Sequence, residues 1–168
     1  TIPLVAANMN AVTGPRLATA LARRGGLGVL PQDLSLEHTV EAIRGVKAQP
    51  VACDTPLVLP PDATAAVALG LVPPVHGHGV VVVDGPSQGP ALPRASVLGL
   101  LSASRLASVP GDARLGDLIH GAPALVELSA LSGDRDGFDA VLRAEEHWGA
   151  EILGVVDRDR FVGTITSR

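Results

Sequence analysis

Two pairs of short apolar segments decide the fold of this 168-residue chain. They are Gly79-Val-Val-Val-Val-Asp84 with Val97-Leu-Gly-Leu-Leu-Ser102, and Ile152-Leu-Gly-Val-Val-Asp157 with Phe161-Val-Gly-Thr-Ile-Thr166. In each pair an apolar strand ends in aspartate, and a second strand carries a glycine at its third position. The aspartates are 73 residues apart and the glycines 64, so the spacing differs only in the loop that joins each pair. Self-similarity of this kind predicts two copies of one structural unit.

The two joining loops differ in length and composition. The first, Gly85–Ala95, is rich in glycine and proline, which predicts a mobile hairpin loop. The second, Asp157–Arg160, is short and charged, which predicts a tight turn. The difference between the copies is confined to these loops, and the strands on either side of them are equivalent.

Each hairpin is preceded by a short extended segment and a helix, and the first hairpin is followed by another short helix. The ranges are Leu57–Leu59, Thr64–Val72 and Ala103–Val109 in the first copy, and Leu125–Leu128 and Phe138–Trp148 in the second. The predicted unit is therefore β-α-β-β-α. Because the apolar face of each sheet is larger than its own helix can cover, we expect the two copies to pack together.

The first fifty residues alternate strand and helix. Ile2–Ala7 and Gly26–Leu30 are short apolar runs that predict strands buried on both faces. A helix over Gly14–Arg24, capped by Thr13, separates them, and a second helix follows its cap Ser35. This order is typical of a parallel α/β sheet or barrel, and two such units cannot cover their own strands. The predicted domains are a partial barrel segment (1–50), a first repeat (51–109) and a second repeat (110–168).

Composition argues against several functions. The chain has a formal net charge of −4, with two phenylalanines, one tryptophan and no tyrosine. It therefore offers neither the basic surface nor the stacking platforms of a nucleic-acid-binding protein. No apolar run approaches the ~20 residues that cross a membrane. The single cysteine, Cys53, cannot form an internal disulfide, which favours a reducing, cytoplasmic location.

The repeat is similar to a tandem pair of CBS domains, the unit known as a Bateman module. The likeness covers residues 54–168 and rests on GVVVVD…VLGLLSASR and ILGVVDRDRFVGTITSR. The opening stretch, IPLVAANMNAVTGPRLATALARRGGLGVLPQD, resembles the early barrel region of the inosine monophosphate dehydrogenase / GMP reductase family. In that family a (β/α)₈ barrel is interrupted after its second helix by a Bateman module. The expected fold is α/β, a tandem CBS pair preceded by the first βαβα units of an incomplete TIM barrel.

At three places the sequence departs from the usual pattern of the family, and these departures indicate one branch of it. They occur at Ala7, at Asn10 and at Pro31-Gln32-Asp33. With them the chain looks like the dehydrogenase-related branch of actinobacteria, some of whose members are GMP reductases. Its first and last residues, Thr1 and Arg168, resemble cuts through a longer enzyme.

The resemblance implies a parent enzyme that interconverts purine nucleotides with NAD or NADP. Its catalytic cysteine lies in a later barrel loop that this sequence does not contain, so no catalytic residue is assigned and this part alone is expected to be inactive. Cys53 is interpreted as structural, because no histidine or basic residue lies near it in the sequence. Met9 matches a methionine that contacts the nucleotide substrate in the family, and the alternative interpretation is a core filler.

In CBS pairs that bind ligands, the cleft between the repeats takes adenine or guanine nucleotides. The resemblance places there Val80 and Ser102 from the first repeat, and Ile152 and Thr166 from the second. Arg105 stands where the family pattern has an acid that accepts hydrogen bonds from ribose hydroxyls, and it could pair with a phosphate instead. The alternative is that the two hydroxyl residues cap helices and Arg105 is a solvated charge.

No metal site is expected, because His76 and His78 have no further ligand nearby in the sequence. The expected partners are regulatory adenine or guanine nucleotides, the remainder of the barrel and further copies of the chain in a homo-oligomer. Neither a nucleic acid nor a membrane is expected. A second function stays open, in which the CBS pair binds no ligand and acts only as a structural or partner-docking module.

Overall fold

The computed structural model describes residues 2–85, 91–131 and 135–166. In the N-terminal unit two short parallel strands alternate with two helices: β1 (Val5–Ala6), α1 (Pro15–Arg23), β2 (Leu27–Gly28) and α2 (Leu36–Lys47). Proline suits the first turn of α1, since its fixed φ is already helical. The Oγ of Ser35 caps α2 by accepting from the backbone N–H of His38 at 3.3 Å. The strand and helix order expected from the sequence is present.

Two local predictions for this unit are wrong. Val5 is 65% exposed and Leu27 is 60% exposed, because two strands and two helices supply too few neighbours to cover both faces of the sheet. The N-cap of α1 is Gly14 and not Thr13. The Thr13 hydroxyl is buried and donates to the carbonyl of Ala7, which ties the start of the helix to the end of β1.

The first repeat forms a three-stranded sheet in the order β3-β4-β6. Its elements are β3 (Leu57–Leu59), α3 (Ala65–Leu71), β4 (Gly79–Val83), β6 (Val97–Ser102) and α4 (Ala103–Ala107), and the intervening β5 (Leu92–Pro93) belongs to the other sheet. β3 runs parallel to β4, and β4 runs antiparallel to β6. The side chains of Thr64 and Ser102 cap α3 and α4.

The second repeat has the same plan, with sheet order β5-β9-β8-β7. Its elements are β7 (Leu125–Glu127), α5 (Arg135–Trp148), β8 (Leu153–Asp157) and β9 (Arg160–Ile165). β7 runs parallel to β8, and β8 runs antiparallel to β9. The described residues end at Thr166, so the expected last helix of this copy lies outside them. Within the described ranges, no helix is both long enough and apolar enough to cross a membrane.

The loop of the first hairpin reaches the other sheet. Its residues Leu92 and Pro93 form β5, which pairs antiparallel with Phe161 and Arg160 of β9. The following backbone N–H, of Arg94, donates to the carbonyl of the β8–β9 turn at 2.8 Å. The predicted mobility of this loop falls on residues 86–90, which lie outside the described residues. The described part of the loop is a cross-connection between the copies that the sequence analysis did not predict.

The two sheets share a hydrophobic core. One buried cluster joins both copies and consists of Val81, Val83, Leu92, Val97, Val156 and Phe161. These residues are between 1% and 6% exposed. Burial of a side chain of this size contributes about 1.5–3 kcal/mol relative to leaving it in water. The prediction that the two copies pack together is therefore confirmed.

The glycine in the second strand of each hairpin marks a close approach by another segment. A Cβ on Gly99 would lie 2.9 Å from Cγ2 of Ile119, in the segment that leads into the second repeat. A Cβ on Gly163 would lie 2.5 Å from Sγ of Cys53 and 2.6 Å from the carbonyl oxygen of Asp54, in the segment that leads into the first repeat. Each entering segment therefore packs against the hairpin of the opposite copy.

Candidate ligand-binding clefts

Two clefts lie where the strands of one repeat meet the hairpin of the other. The first cleft, of about 710 Å³, is bordered by the starts of β3 and β4 and the end of β9. Its lining includes the buried Val80 and Ile152 and the half-buried Thr166. His76 and His78, in the loop before β4, are exposed and also line it. This cleft combines an apolar wall with hydroxyl and imidazole groups.

The second cleft, of about 630 Å³, occupies the equivalent place with the two copies exchanged. It is bordered by the end of β6, the start of α4 and the segment between α5 and β8. Ser102 and Arg105 of the first repeat line it, together with Trp148, Glu151 and Ile152 of the second. With Ser104 and His120, which also line it, its polar groups are two hydroxyls, an imidazole, a guanidinium, a carboxylate and the indole N–H.

Each cleft combines residues of both repeats, as expected, but the predicted residues are divided between two clefts. The structure places Val80 beside Thr166 in the first cleft, and Ser102 beside Ile152 in the second. The reason is that the strand starts of the two copies touch: a Cβ on Gly79 would lie 2.5 Å from Cδ1 of Ile152. Ile152 consequently lines both clefts.

Ser102 caps α4 and also lines the second cleft. Its Oγ accepts from the backbone N–H of Arg105 at 3.2 Å and lies 3.0 Å from Oγ of Ser104. The helix-cap alternative is thus confirmed for Ser102. For Thr166 the residues that would follow it in a helix lie outside the described ranges. The Arg105 side chain is exposed and borders the same cleft as Ser102, so a ligand there could reach its guanidinium.

Glu151 is a cleft residue that the sequence analysis missed. The Ser104 hydroxyl donates to its Oε1, and its Oε2 lies 3.3 Å from Nδ1 of His76. The His76 contact lacks hydrogen-bond geometry, so Oε2 is buried with no hydrogen-bond partner among the described residues. The internal repeat makes Glu151 the equivalent of His78, because the two are 73 residues apart, the spacing of the repeated aspartates. His78 lines the first cleft, so the repeat indicates a cleft position for Glu151 as well.

A larger cavity, of about 1230 Å³, borders α2. Its lining includes Leu36, Glu41 and Arg160, and none of the residues predicted to bind a nucleotide. In the part of the chain that the structure describes, no group of three or more His, Cys, Asp or Glu side chains is placed to hold a metal ion.

The chain matches a protein family over most of its length. The family model described as the IMP dehydrogenase / GMP reductase domain matches residues 1–104. The chain belongs to this family. It is 34% identical over 169 residues to proteins named GMP reductase from Mycobacterium tuberculosis and Mycobacterium bovis, an alignment that covers 100% of this chain and 32% of each relative. It is 38% identical over 84 residues to the inosine-5'-monophosphate dehydrogenase of Methanocaldococcus jannaschii, covering 49% of this chain and 17% of that protein.

A solved structure of a family member has a similar fold. A GMP reductase variant from Trypanosoma brucei superposes with a TM-score of 0.50 at 20% identity, over 99% of this chain and 37% of that one. The likeness supports the mixed α/β fold. The chain spans about a third of the length of the GMP reductases it matches.

In this IMP dehydrogenase / GMP reductase family chain, Met9 lies in the turn after β1. Its carbonyl accepts from the backbone N–H groups of Val12 at 2.9 Å and Thr13 at 2.8 Å. Met9 is 53% exposed, so among the described residues it is not part of a core. Asn10 donates from its side-chain amide to the carboxylate of Asp33. Two of the departures from the family pattern are therefore bonded to each other.

Cys53 is 5% exposed, between the N-terminal unit and the second hairpin. The expectation that it has no basic neighbour is wrong in three dimensions, because a guanidinium nitrogen of Arg23 lies 3.4 Å from its sulfur. Burial nevertheless raises the pKa of the thiol, since desolvation outweighs the attraction of Arg23. A protonated, buried thiol is a poor nucleophile, which supports the structural interpretation.

Proposed function

We propose that this chain is the regulatory CBS-pair portion of a purine-nucleotide oxidoreductase and that it binds adenine or guanine nucleotides. The observation that carries the proposal is the pair of clefts, built from equivalent segments and each spanning both repeats. Their volumes, about 710 and 630 Å³, fall within the roughly 300–1,000 Å³ of small-molecule sites. A ligand in either cleft contacts both repeats and so affects how they are held together.

The side chains of the second cleft suit a nucleotide. Ile152 offers an apolar surface to a purine, and Oγ of Ser102 can accept a further hydrogen bond from a ribose hydroxyl. The Arg105 guanidinium can bind a phosphate through two parallel hydrogen bonds. Val80 and Thr166 offer the apolar surface and the hydroxyl in the first cleft.

Arg23 connects the first cleft to the N-terminal unit. From α1 it donates to the carbonyl of Pro50 at 2.9 Å, to Oγ1 of Thr55 at 2.8 Å and to the carbonyl of Val162 at 2.7 Å. Thr55 lines the first cleft, and Val162 belongs to β9, whose end also lines it. Occupancy of this cleft can therefore shift α1, which supports a role in modulating activity or assembly.

The N-terminal unit supports the oxidoreductase part of the proposal. Met9 follows the carboxyl end of β1, and active sites of βα barrels lie at the carboxyl ends of their strands. The proposed cofactor of the parent enzyme is NAD or NADP. The proposed partners of this chain are the rest of the barrel and further copies of the chain. Met9 is 53% exposed among the described residues, so the rest of the barrel would have to complete a substrate or cofactor site beside it.

Calorimetry and thermal unfolding of the chain with ATP, GTP, AMP and GMP test nucleotide binding. We expect saturable heat and a higher Tm with at least one of them, because a ligand at a hundred times its Kd adds about 2.7 kcal/mol to the free energy of unfolding. No heat and no change in Tm at millimolar concentration would contradict the proposal. That result would favour the alternative, a CBS pair that binds no ligand and acts as a structural or docking module.

A matched pair of variants locates the phosphate contact. Arg105→Gln removes an exposed guanidinium from the second cleft, whereas Arg114→Gln removes one outside both clefts. We expect Arg105→Gln to weaken ATP or GTP binding about tenfold, as loss of a charge-assisted hydrogen bond does, and Arg114→Gln to change it less than about twofold. Equal losses would indicate general electrostatic attraction in place of a defined site.

A further inference from the structure

Glu151 lines the second cleft, and one of its two carboxylate oxygens lacks a donor among the described residues. Oε1 of Glu151 accepts from the Ser104 hydroxyl, while Oε2 is buried without a hydrogen-bond partner among the described residues. The side chain as a whole is 29% exposed, and the imidazole of His76 lies beside Oε2 at 3.3 Å. Buried acceptors are normally satisfied, so this oxygen is one that a ligand hydroxyl could complete.

Two further groups in the same cleft suit the other parts of a nucleotide. Trp148 is the only tryptophan of the chain and is 44% exposed. An exposed indole in a cleft is a stacking surface for a purine ring. Arg105 adds a positive charge suited to phosphate. The carboxylate, the indole and the guanidinium thus correspond to the ribose, the base and the phosphate of one ligand.

The equivalent positions of the first cleft are filled differently. The repeat spacing of 73 residues makes His78 the equivalent of Glu151, and Val75 the equivalent of Trp148. His78 and Val75 both line the first cleft. A neutral imidazole has one acceptor nitrogen, whereas a carboxylate can accept from two adjacent hydroxyls. The first cleft does have a carboxylate, Asp54, but it is paired with Arg24 at 3.0 Å.

We infer that Glu151 accepts hydrogen bonds from the 2'- and 3'-hydroxyls of a purine ribonucleotide whose base stacks on Trp148 and whose phosphate pairs with Arg105. The inference rests on the proposed nucleotide binding and adds a selectivity: the second cleft prefers ribonucleotides to 2'-deoxyribonucleotides. The acid that Arg105 replaces in the first repeat is then supplied by the second repeat.

Titrations with ATP and GTP and with their 2'-deoxy counterparts test this role, followed by calorimetry and by tryptophan emission. Because Trp148 is the only tryptophan, a saturable change in emission reports the surroundings of this indole, and its weakening in Glu151→Gln assigns the change to the second cleft. We expect the ribonucleotide to bind about tenfold or more tightly than its 2'-deoxy form, the size of a lost hydrogen bond to a charged group. Glu151→Gln should weaken the ribonucleotide about tenfold and reduce the sugar preference below about twofold. The control Glu41→Gln, on α2 outside both clefts, should leave both quantities unchanged.

The outcomes separate this inference from the proposed function. Heat of binding with no change in tryptophan emission, or with equal affinity for both sugars, would overturn the role of Glu151 and leave nucleotide binding intact. No heat with any of the four nucleotides would overturn both. The comparison of sugars on the unmodified chain needs no variant, so it decides the question even if Glu151→Gln fails to fold.

Discussion

The two clefts share a backbone plan and differ in the side chains that complete it. Each lies between the strand starts of one copy and the hairpin end of the other, and Ile152 lines both. The first presents two exposed histidines, His76 and His78, whereas the second presents Glu151 and Trp148. The repeat therefore determines where a cleft forms, and the residues just before β4 and β8 determine its charge and polarity.

The segments that enter the two copies differ in a related way. Ile119 meets Gly99 with apolar side-chain atoms, whereas at Gly163 the neighbours are the sulfur of Cys53 and the backbone of Asp54. Cys53 in turn contacts Arg23 of α1. The second hairpin is thus attached to the N-terminal unit, and the first hairpin to the link between the repeats. Through Arg23 and Val162, the second hairpin is bonded directly to α1.

The largest expected effect comes from a substitution in the core between the two sheets, which holds the two clefts in equivalent positions. Phe161 is 2% exposed between the sheets, while Phe138 on α5 is 52% exposed. Phe161→Ala should lower the free energy of unfolding by about 3–5 kcal/mol, because it removes a buried ring and leaves a cavity. Phe138→Ala should lower it by less than about 1 kcal/mol. Urea denaturation followed by circular dichroism compares the two, and similar losses would contradict a core shared by both copies.

Alanine at the central glycines sharpens the contrast between the entering segments. At Gly163 the new Cβ would lie 2.6 Å from the carbonyl oxygen of Asp54, a backbone atom, whereas at Gly99 its three nearest neighbours would be side-chain atoms of Ile119, at 2.9 to 3.2 Å. We expect Gly163→Ala to cost about 3 kcal/mol and Gly99→Ala about 1 kcal/mol. A greater loss at Gly99 in urea denaturation would contradict the tighter packing at Cys53.

Gly70→Ala is the control for this pair. Gly70 lies in α3, and outside its own helix nothing among the described residues is within 4 Å of the added Cβ. Alanine in a helix is favoured over glycine, so the free energy of unfolding should rise by roughly 0.5–1 kcal/mol.

An effect smaller than that at Gly163 is expected at the bonds that attach the second hairpin to α1. Arg23→Met keeps an apolar stem but loses the donors to Pro50 and Val162, which should cost about 2 kcal/mol. The control Arg24→Met breaks a pair with Asp54 whose side chains are 68% and 69% exposed, and should cost less than about 1 kcal/mol. Urea denaturation measures both, and amide hydrogen exchange in α1 should rise only for Arg23→Met. Unchanged exchange in α1 would show that Arg23 does not anchor this helix.

The hairpin strands were predictable from the local pattern. β4, β6, β8 and β9 lie within one residue of the predicted segments, because each is an apolar run with polar or turn-forming residues at its ends. α5 begins at Arg135, three residues before the predicted Phe138, since its first turn carries no apolar periodicity. β5 was missed because its two residues acquire strand geometry only by pairing with Phe161 and Arg160.

The candidate site was predictable in part. The five residues expected in the nucleotide cleft all border a cleft: Val80, Ser102, Arg105, Ile152 and Thr166. The sequence does not show that Ser102 shares its cleft with Ile152, nor that Glu151 lines the same cleft and has a buried oxygen without a donor among the described residues. Those relations depend on how the two sheets are set against each other.

The sequence by itself determined the strands of the two copies, their repetition and the family to which the chain belongs, because apolar spacing, turn residues and motifs are written in neighbouring positions. Only the tertiary structure decided which residues meet. Arg23 and Val162 are 139 positions apart, and their hydrogen bond exists because the fold brings the last turn of α1 within side-chain reach of β9. The same holds for His76 beside Glu151, since packing between two sheets leaves no periodic trace in either segment.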